Sequence, residues 1–445
     1  MKKITLSILA FSSALLATPE VTSLTEVFSE AKTSGNIKYY FIQTDKNRAG
    51  GVDTSANANS IGGQLHFDTA SLYGFSGGLT FMTTNAFLLD DSVDTSIIGK
   101  DNGTRGGDAS ASFSILGEAY LSYKYEDFSL VYGRQVIKTP LVHAKEVRML
   151  PSAVQGVFAY YDINKKSKVT FACLDKFKQR TSDRFTDIIE HALGVNTYAI
   201  TGSYTGRVST LGVDYSSNSF GIKAYNYYAP DFMNSSYLDA TYKLNTSAMK
   251  FTLAGQYVNQ FSVGNASDNL AKATSVTGGK EISVNAVGAE AVVAFGGSKF
   301  VLAYSKVFKD DNKHDSLVLP WDGTPLFTNM ITSNDLFQSL YGKAFNADSI
   351  YIGGSQGIKI AYSQKLDALG LAGVSTTLSY LNTSNSRFVK NQNDYNAVLA
   401  YKYNKAFSFA LKGIWVQNNS SADETGTVSQ LKQLNQYRVI ANYKF

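Results

Sequence analysis

The last nine residues, Tyr437-Arg438-Val439-Ile440-Ala441-Asn442-Tyr443-Lys444-Phe445, decide how the chain is read. Tyr437, Val439, Ala441, Tyr443 and Phe445 alternate with Arg438, Ile440, Asn442 and Lys444. A strand sends successive side chains to opposite faces, so the first set shares one face and the second the other. The first face is aromatic and small-apolar and suits lipid. A cation aimed at hydrocarbon costs about 2–4 kcal/mol at the bilayer midplane, so Arg438 and Lys444 are expected to face a lumen. An ordinary amphipathic edge strand would show the same alternation, and the rest of the chain has to decide.

The composition favours the barrel. Of 445 residues, 28 are Tyr, 27 Phe and 36 Gly, with only 6 Pro and 17% charged. Tyr and Phe pack well on pleated surfaces, and a single all-β barrel of this length is ordinary. Lys2 and Lys3 followed by the apolar run Ile4 to Ala17 read as an export leader over residues 1–17. Beyond it no run of eighteen apolar residues exists, so no membrane-spanning helix is expected. An exported chain can still enter a membrane as a closed barrel, where every backbone group is satisfied. The formal charge of +5 falls to 5 − 2 = +3 without the two leader lysines, too little to argue for nucleic acid as a partner. Cys173 is the sole cysteine and excludes an intramolecular disulfide.

Residues 18–35 read as a periplasmic segment, with Leu24, Val27, Phe28 and Ala31 at helical spacing within Ser23 to Lys32. Residues 36–445 read as an all-β transmembrane antiparallel barrel. Strands are expected near 36–44, 60–70, 76–86, 112–125, 128–135, 155–163, 167–175, 207–215, 219–229, 236–244, 249–260, 281–296, 299–308, 356–365, 372–383, 393–403, 406–418 and 434–445. That makes eighteen. Sixteen is the alternative, because 176–206 holds both a helical turn at Ile188 to Ala192 and an extended run at Tyr198 to Tyr204. Turns such as Glu126-Asp127 and Asn404-Lys405 alternate with long polar connectors, the asymmetry of bacterial outer-membrane barrels.

One connector stands apart. Between Gly133 and Gly156 lie Pro140 and Pro151, which cannot donate to a central ladder, and the cations Arg134, Lys138, Lys145 and Arg148, with Glu146 the one carboxylate from Arg134 to Arg148. Loops this long are usually functional. A second basic group, Lys402, Lys412 and Arg438, falls at lumen-facing parity on the last three strands. Catalytic chemistry is weakly supported. His66, His143, His191 and His314 are scattered, and Ser316 beside His314 and Asp315 is too local for a triad, so no enzyme, cofactor or metal is expected. Asp310, Asp311, Asn312 and Asp315, or Asp90, Asp91 and Asp94, could gather oxygen ligands for Ca²⁺, but such loop runs are more often solvated.

The run Gly133-Arg134-Gln135, Thr139-Pro140-Leu141, Arg148-Met149-Leu150-Pro151 and Gln155-Gly156 resembles the third-loop region of the OprD-type outer-membrane porins. The sequence departs from that pattern at Glu146, Ser152 and Val154. The resemblance implies an eighteen-stranded barrel whose third loop folds inward and narrows the channel. It also implies passive, selective passage of small carboxylate-bearing solutes, amino acids or organic acids, along a basic column. Arg134, Lys138, Lys145, Glu146 and Arg148 would belong to the constriction, and Lys402, Lys412 and Arg438 to the column. Strict alternation from Phe128, Leu130 and Tyr132 points Arg134 outward, so a bulge or strand end must intervene there. Glu146 or Asp175 facing the row would favour a solute that also bears an amine. Tyr443 and Phe445 resemble the terminal signal read by barrel-assembly machinery. The expected setting is the outer membrane of a Gram-negative bacterium, among lipid and lipopolysaccharide, as a monomer or weak homotrimer. The alternative from another class is a barrel with a structural or adhesive role carried by its extracellular loops.

Overall fold

The structure, a computed structural model, describes residues 19–48, 53–86, 112–144, 148–193, 206–272, 279–331, 350–385, 389–418 and 431–445. The leader, Asp90, Asp91, Asp94, Lys145, Glu146 and the run Tyr198 to Tyr204 lie outside these described residues.

Eighteen long strands follow one another: β1 (Lys32–Arg48), β2 (Thr54–Asp68), β3 (Phe75–Ala86), β4 (Phe113–Tyr125), β5 (Phe128–Gln135), β6 (Ala153–Asn164), β7 (Ser167–Lys178), β8 (Val208–Ser216) and β9 (Phe220–Ala229), then β10 (Met233–Asn245), β11 (Lys250–Ser262), β12 (Ser283–Phe295), β13 (Ser298–Val307), β14 (Ser355–Lys365), β15 (Val374–Asn385), β16 (Val389–Lys402), β17 (Phe407–Asn418) and β18 (Leu431–Lys444). Each pairs antiparallel with the next, and β18 returns to pair with β1 through Ile37 with Tyr443 and Ile42 with Arg438. Closure leaves no edge, which is what a strand in hydrocarbon needs. All eighteen expected segments are strands, and the count of sixteen falls away.

Alternation does the sorting. On β1 the even residues Lys38, Tyr40, Ile42 and Thr44 are buried inside, while Ile37, of the opposite parity, is exposed. Around the outside, large apolar side chains such as Tyr132 (63% exposed) and Leu253 (59%) form a surface that only lipid would cover. Local chemistry fixes the turns. The hairpin from Phe295 to Ser298 closes on Gly296 and Gly297 with φ of +50° and +83°. A two-residue turn that matches strand twist needs positive φ at both places, and glycine adopts it without a Cβ penalty.

Ahead of the barrel, α1 (Leu24–Ser29) begins at a capping box in which the Glu26 N–H donates to Ser23 Oγ (3.3 Å) and the Ser23 N–H to Glu26 Oε2 (3.1 Å). The helix is shorter than the expected Ser23 to Lys32, because Lys32 already belongs to β1. Val27 packs with Ala70 and Leu72, but Leu24 and Phe28 stay exposed, so the four-residue apolar face is only partly used.

Candidate functional site

Between β5 and β6, the described residues 136–144 and 148–152 leave the ladder and turn into the barrel. The first step is held by Glu118, an inward, buried residue of β4 whose Oε1 accepts the Val136 N–H at 2.9 Å. Further on, the Leu141 N–H donates to the hydroxyl of Tyr227 on β9 (3.2 Å). At the far end, the buried Lys38 ammonium of β1 donates to the carbonyls of Met149 (3.1 Å) and Arg148 (3.4 Å). Strands β1 and β9 are eight positions apart one way round and ten the other, so the described parts of this segment touch nearly opposite walls.

Packing holds it there. Leu141 and Val142 join an apolar cluster with Tyr225 and Tyr227, while Met149 and Leu150 pack with Tyr40, Ile42, Ala58 and Met82. Burying each such side chain is worth about 1.5–3 kcal/mol, more than one hydrogen bond. Two other inward segments meet it. The His143 N–H donates to the Trp321 carbonyl (2.9 Å), and Val142 forms a backbone bridge with Asp322. The Asp322 carboxylate accepts from Arg180 Nη1 (2.7 Å) and from the Ser152 hydroxyl, and the Trp321 indole N–H donates to the Ile188 carbonyl (3.1 Å).

The inner wall is electrostatically lopsided. On β16, β17, β18 and β1 the register sets Lys444 beside Asn36, then Lys402 and Lys38 on one row through Ser408 and Asn442, and then Lys412 directly opposite Arg438. Asp394 is the only carboxylate at a described inward position of these four strands. Arg438 is fully buried, its Nε donating to Gln436 Oε1 (2.8 Å) and its Nη1 to Tyr40 Oη (3.3 Å).

The wall from β6 to β10 is built differently. Successive register partners Asp162, Lys168, Asp214, Lys223 and Asp239 alternate in sign along one row. Lys168 Nζ lies 3.5 Å from Asp162 Oδ1. Such a row repeats every two strand spacings, about 9.6 Å, so its potential fades e-fold in about 1.5 Å. The like-signed wall is felt over a Debye length of about 8 Å instead.

The expected site residues separate accordingly. Lys402, Lys412 and Arg438 share one inner wall, and Arg148 lies buried in the inward segment beside Lys38. Lys138 borders a cavity of about 720 Å³ on the turn side of the segment, with Tyr120, Tyr160, Asp162 and Lys168. Arg134 does not join them. No bulge interrupts β5, Arg134 pairs with Ala119 and Gln155 in the outward row of Tyr132, and its guanidinium stacks 4.6 Å from the Phe185 ring. Asp175 sits at the bulge of β7 and accepts from Gln155 Nε2 (3.4 Å) rather than facing the basic row. Lys38, Glu118, Arg180, Asp322 and the alternating row were not singled out from sequence. Parity alone would have found Lys38, which shares a face with Tyr40 and Ile42.

His314, expected to be no catalyst, lies in the segment after β13, where burial pushes its imidazole down to about 4. Among the described residues no group of three His, Cys, Asp or Glu side chains is placed to hold a metal ion. The terminal Phe445 exchanges two backbone hydrogen bonds with Gly35 (3.1 Å each), and its ring stacks with Tyr443.

Comparison with known proteins agrees with the barrel fold. A sequence profile described as outer membrane porin, OprD family, matches residues 26–445. Among solved structures, the chain is similar to Pseudomonas aeruginosa OccK9 (OpdG), with TM-score 0.73, 14% identity, and coverage of 94% of this chain and 99% of that one. It is similar to Pseudomonas aeruginosa OpdK solved with vanillate, at TM-score 0.71 and 13% identity, with coverage of 94% and 99%. It is also similar to Pseudomonas aeruginosa OccK2 (OpdF) in complex with glucuronate, at TM-score 0.69 and 12% identity, again covering 94% and 99%. No curated protein sequence matches the chain significantly.

Proposed function

The chain belongs to the OprD family of outer-membrane porins, and from that premise we propose that it passes small carboxylate-bearing solutes, amino acids or organic acids, through a lumen narrowed by residues 136–152. The protein is an outer-membrane channel of a Gram-negative bacterium, and small solutes are its partners. The observation that carries the carboxylate reading is the cationic wall, above all Lys412 directly opposite Arg438. Like charges facing each other across strands are destabilising, so a wall that gathers them is built for an anion. Forked guanidinium donors and ammonium groups match carboxylates, and successive rows let a solute be handed on without being trapped. Vanillate and glucuronate, the ligands solved with two similar porins, are both carboxylates.

In this reading Lys38, Lys402, Lys412, Arg438 and Lys444 guide the carboxylate, and Lys138, Lys145, Glu146 and Arg148 belong to the narrowing segment. The alternating row from Asp162 to Asp239 acts only on groups that touch it. Tyr443 and Phe445 present the last strand to the assembly machinery, residues 1–17 direct export, and the folded barrel sits among lipid and lipopolysaccharide as a monomer or weak homotrimer.

Arg148→Glu tests the filter. The reversal potential in a salt gradient shifts toward cations and carboxylate uptake by proteoliposomes falls several-fold, while neutral sugar uptake barely changes because a neutral solute offers no charge for the reversed sign to act on. An unchanged reversal potential would remove the segment from the filter and leave the wall cations to carry it.

A further inference from the structure

We propose that Asp322 is the positioning residue of the constriction: one buried carboxylate latches the segment 136–152 to the two other inward segments and so sets the bore. The proposal rests on reading residues 136–152 as the narrowing, and it deepens that reading by naming what holds the segment in register.

Three independent observations meet at this point. First, the Asp322 carboxylate joins Arg180, from the segment after β7, to Ser152, the last residue before β6. Asp322 and Arg180 are both buried, and Ser152 is completely so. A buried charge pair that also satisfies a hydroxyl has one good geometry and many poor ones, which is how such pairs specify position more than they add stability. Second, the backbone is committed as well. Asp322 bridges Val142, the neighbouring Trp321 accepts from His143 at 2.9 Å, and the Trp321 indole reaches back to Ile188 at 3.1 Å. All three segments are therefore tied within two consecutive residues. Third, the chain accepts an unusual conformation to make the contact. Asp322 has φ of +61°, the left-handed region that few non-glycine residues adopt and that Asp enters more readily than most. Gly323 follows, and a Cβ on it would stand 2.5 Å from the Cα of Leu141. Glycine there is what lets the two segments approach.

The segment has firm walls at both ends, at Tyr227 and at Lys38. In this proposal it is the latch, tying the middle of the segment to the two other inward segments, that sets its height along the bore. Without it, residues 141–144 can slide against Tyr225 and Tyr227 while remaining inside the barrel, and the open channel would wander among several bores.

A reversible tether separates positioning from folding. Val142 and Asp322 are antiparallel bridge partners, whose Cα atoms lie about 4.5–5.5 Å apart, inside the range a disulfide spans. Val142→Cys with Asp322→Cys, in a Cys173→Ser background, therefore replaces the latch by a bond that can be cut in the folded protein. Single-channel recording should give a steady open current in the oxidised form. After reduction of the same channels, open-state noise should rise several-fold, with new subconductance levels, while heat-modifiable barrel is unchanged. Asp322→Asn and, by a route without charge, Gly323→Val should resemble the reduced form. A reduced channel as quiet as the oxidised one overturns the proposal, as does a quiet Asp322→Asn. If Arg148→Glu shifts the reversal potential while reduction changes nothing, the narrowing stands and the latch falls. If Arg148→Glu shifts nothing, the reading beneath the latch has failed instead.

Discussion

Arg134 and Arg438 are the same residue type on the same kind of strand, and their side of the wall separates them. Arg438 lies between the lipid-facing Tyr437 and Val439 and is buried inside. Arg134 continues the outward series of Tyr132 and ends against Phe185. The two should respond differently to the same change. Lys412→Gln, beside Arg438, is expected to reduce anion preference in reversal-potential measurements, whereas Arg134→Gln should leave both preference and conductance as they were. A comparable loss from Arg134→Gln would return that side chain to the channel. Period two made Lys402, Lys412 and Arg438 legible, because each has aromatic or aliphatic neighbours that name the lipid face. The same rule pointed Arg134 outward, and the structure follows the rule. The pairing of Arg180 with Asp322 had no such signal. Their positions differ by 142, both lie in segments without periodicity, and only the closed barrel brings them together.

At the scale of elements, the inward segment and the last strand show how local chemistry becomes architecture. Pro140 and Pro151 made it legible that residues 136–152 leave the ladder, since neither can donate to it. Its destination depended on contacts no sequence pattern prints: Glu118 at its start, Tyr227 and Lys38 at its ends. The last strand was legible throughout, and its register with β1 puts Phe445 against Gly35 at the closing seam. A Cβ at Gly35 would come within 2.8 Å of the Phe445 ring, so the aromatic end is seated on a glycine. Phe445→Ser is expected to lower the yield of folded, heat-modifiable barrel in the outer membrane severalfold, with normal conductance in the molecules that do fold. Wild-type folded yield would show that the seam closes without it.

The molecule as a whole carries a modest formal charge, +5 over the full sequence, and the proposed selectivity rests on how that charge is distributed. On one inner wall a row of register partners alternates in sign; the wall opposite gathers Lys38, Lys402, Lys412, Arg438 and Lys444, with Asp394 the one carboxylate at a described inward position. On the proposed reading, a solute crossing the lumen meets a field directed from one side, least screened where it passes within a Debye length, about 8 Å, of those cations. Single-channel reversal potential of the wild-type protein across a gradient of the sodium salt of a small carboxylic acid tests this most directly. Discrete conductance steps with a potential set mainly by the carboxylate are expected; the absence of steps, or a potential set by sodium, would contradict the account.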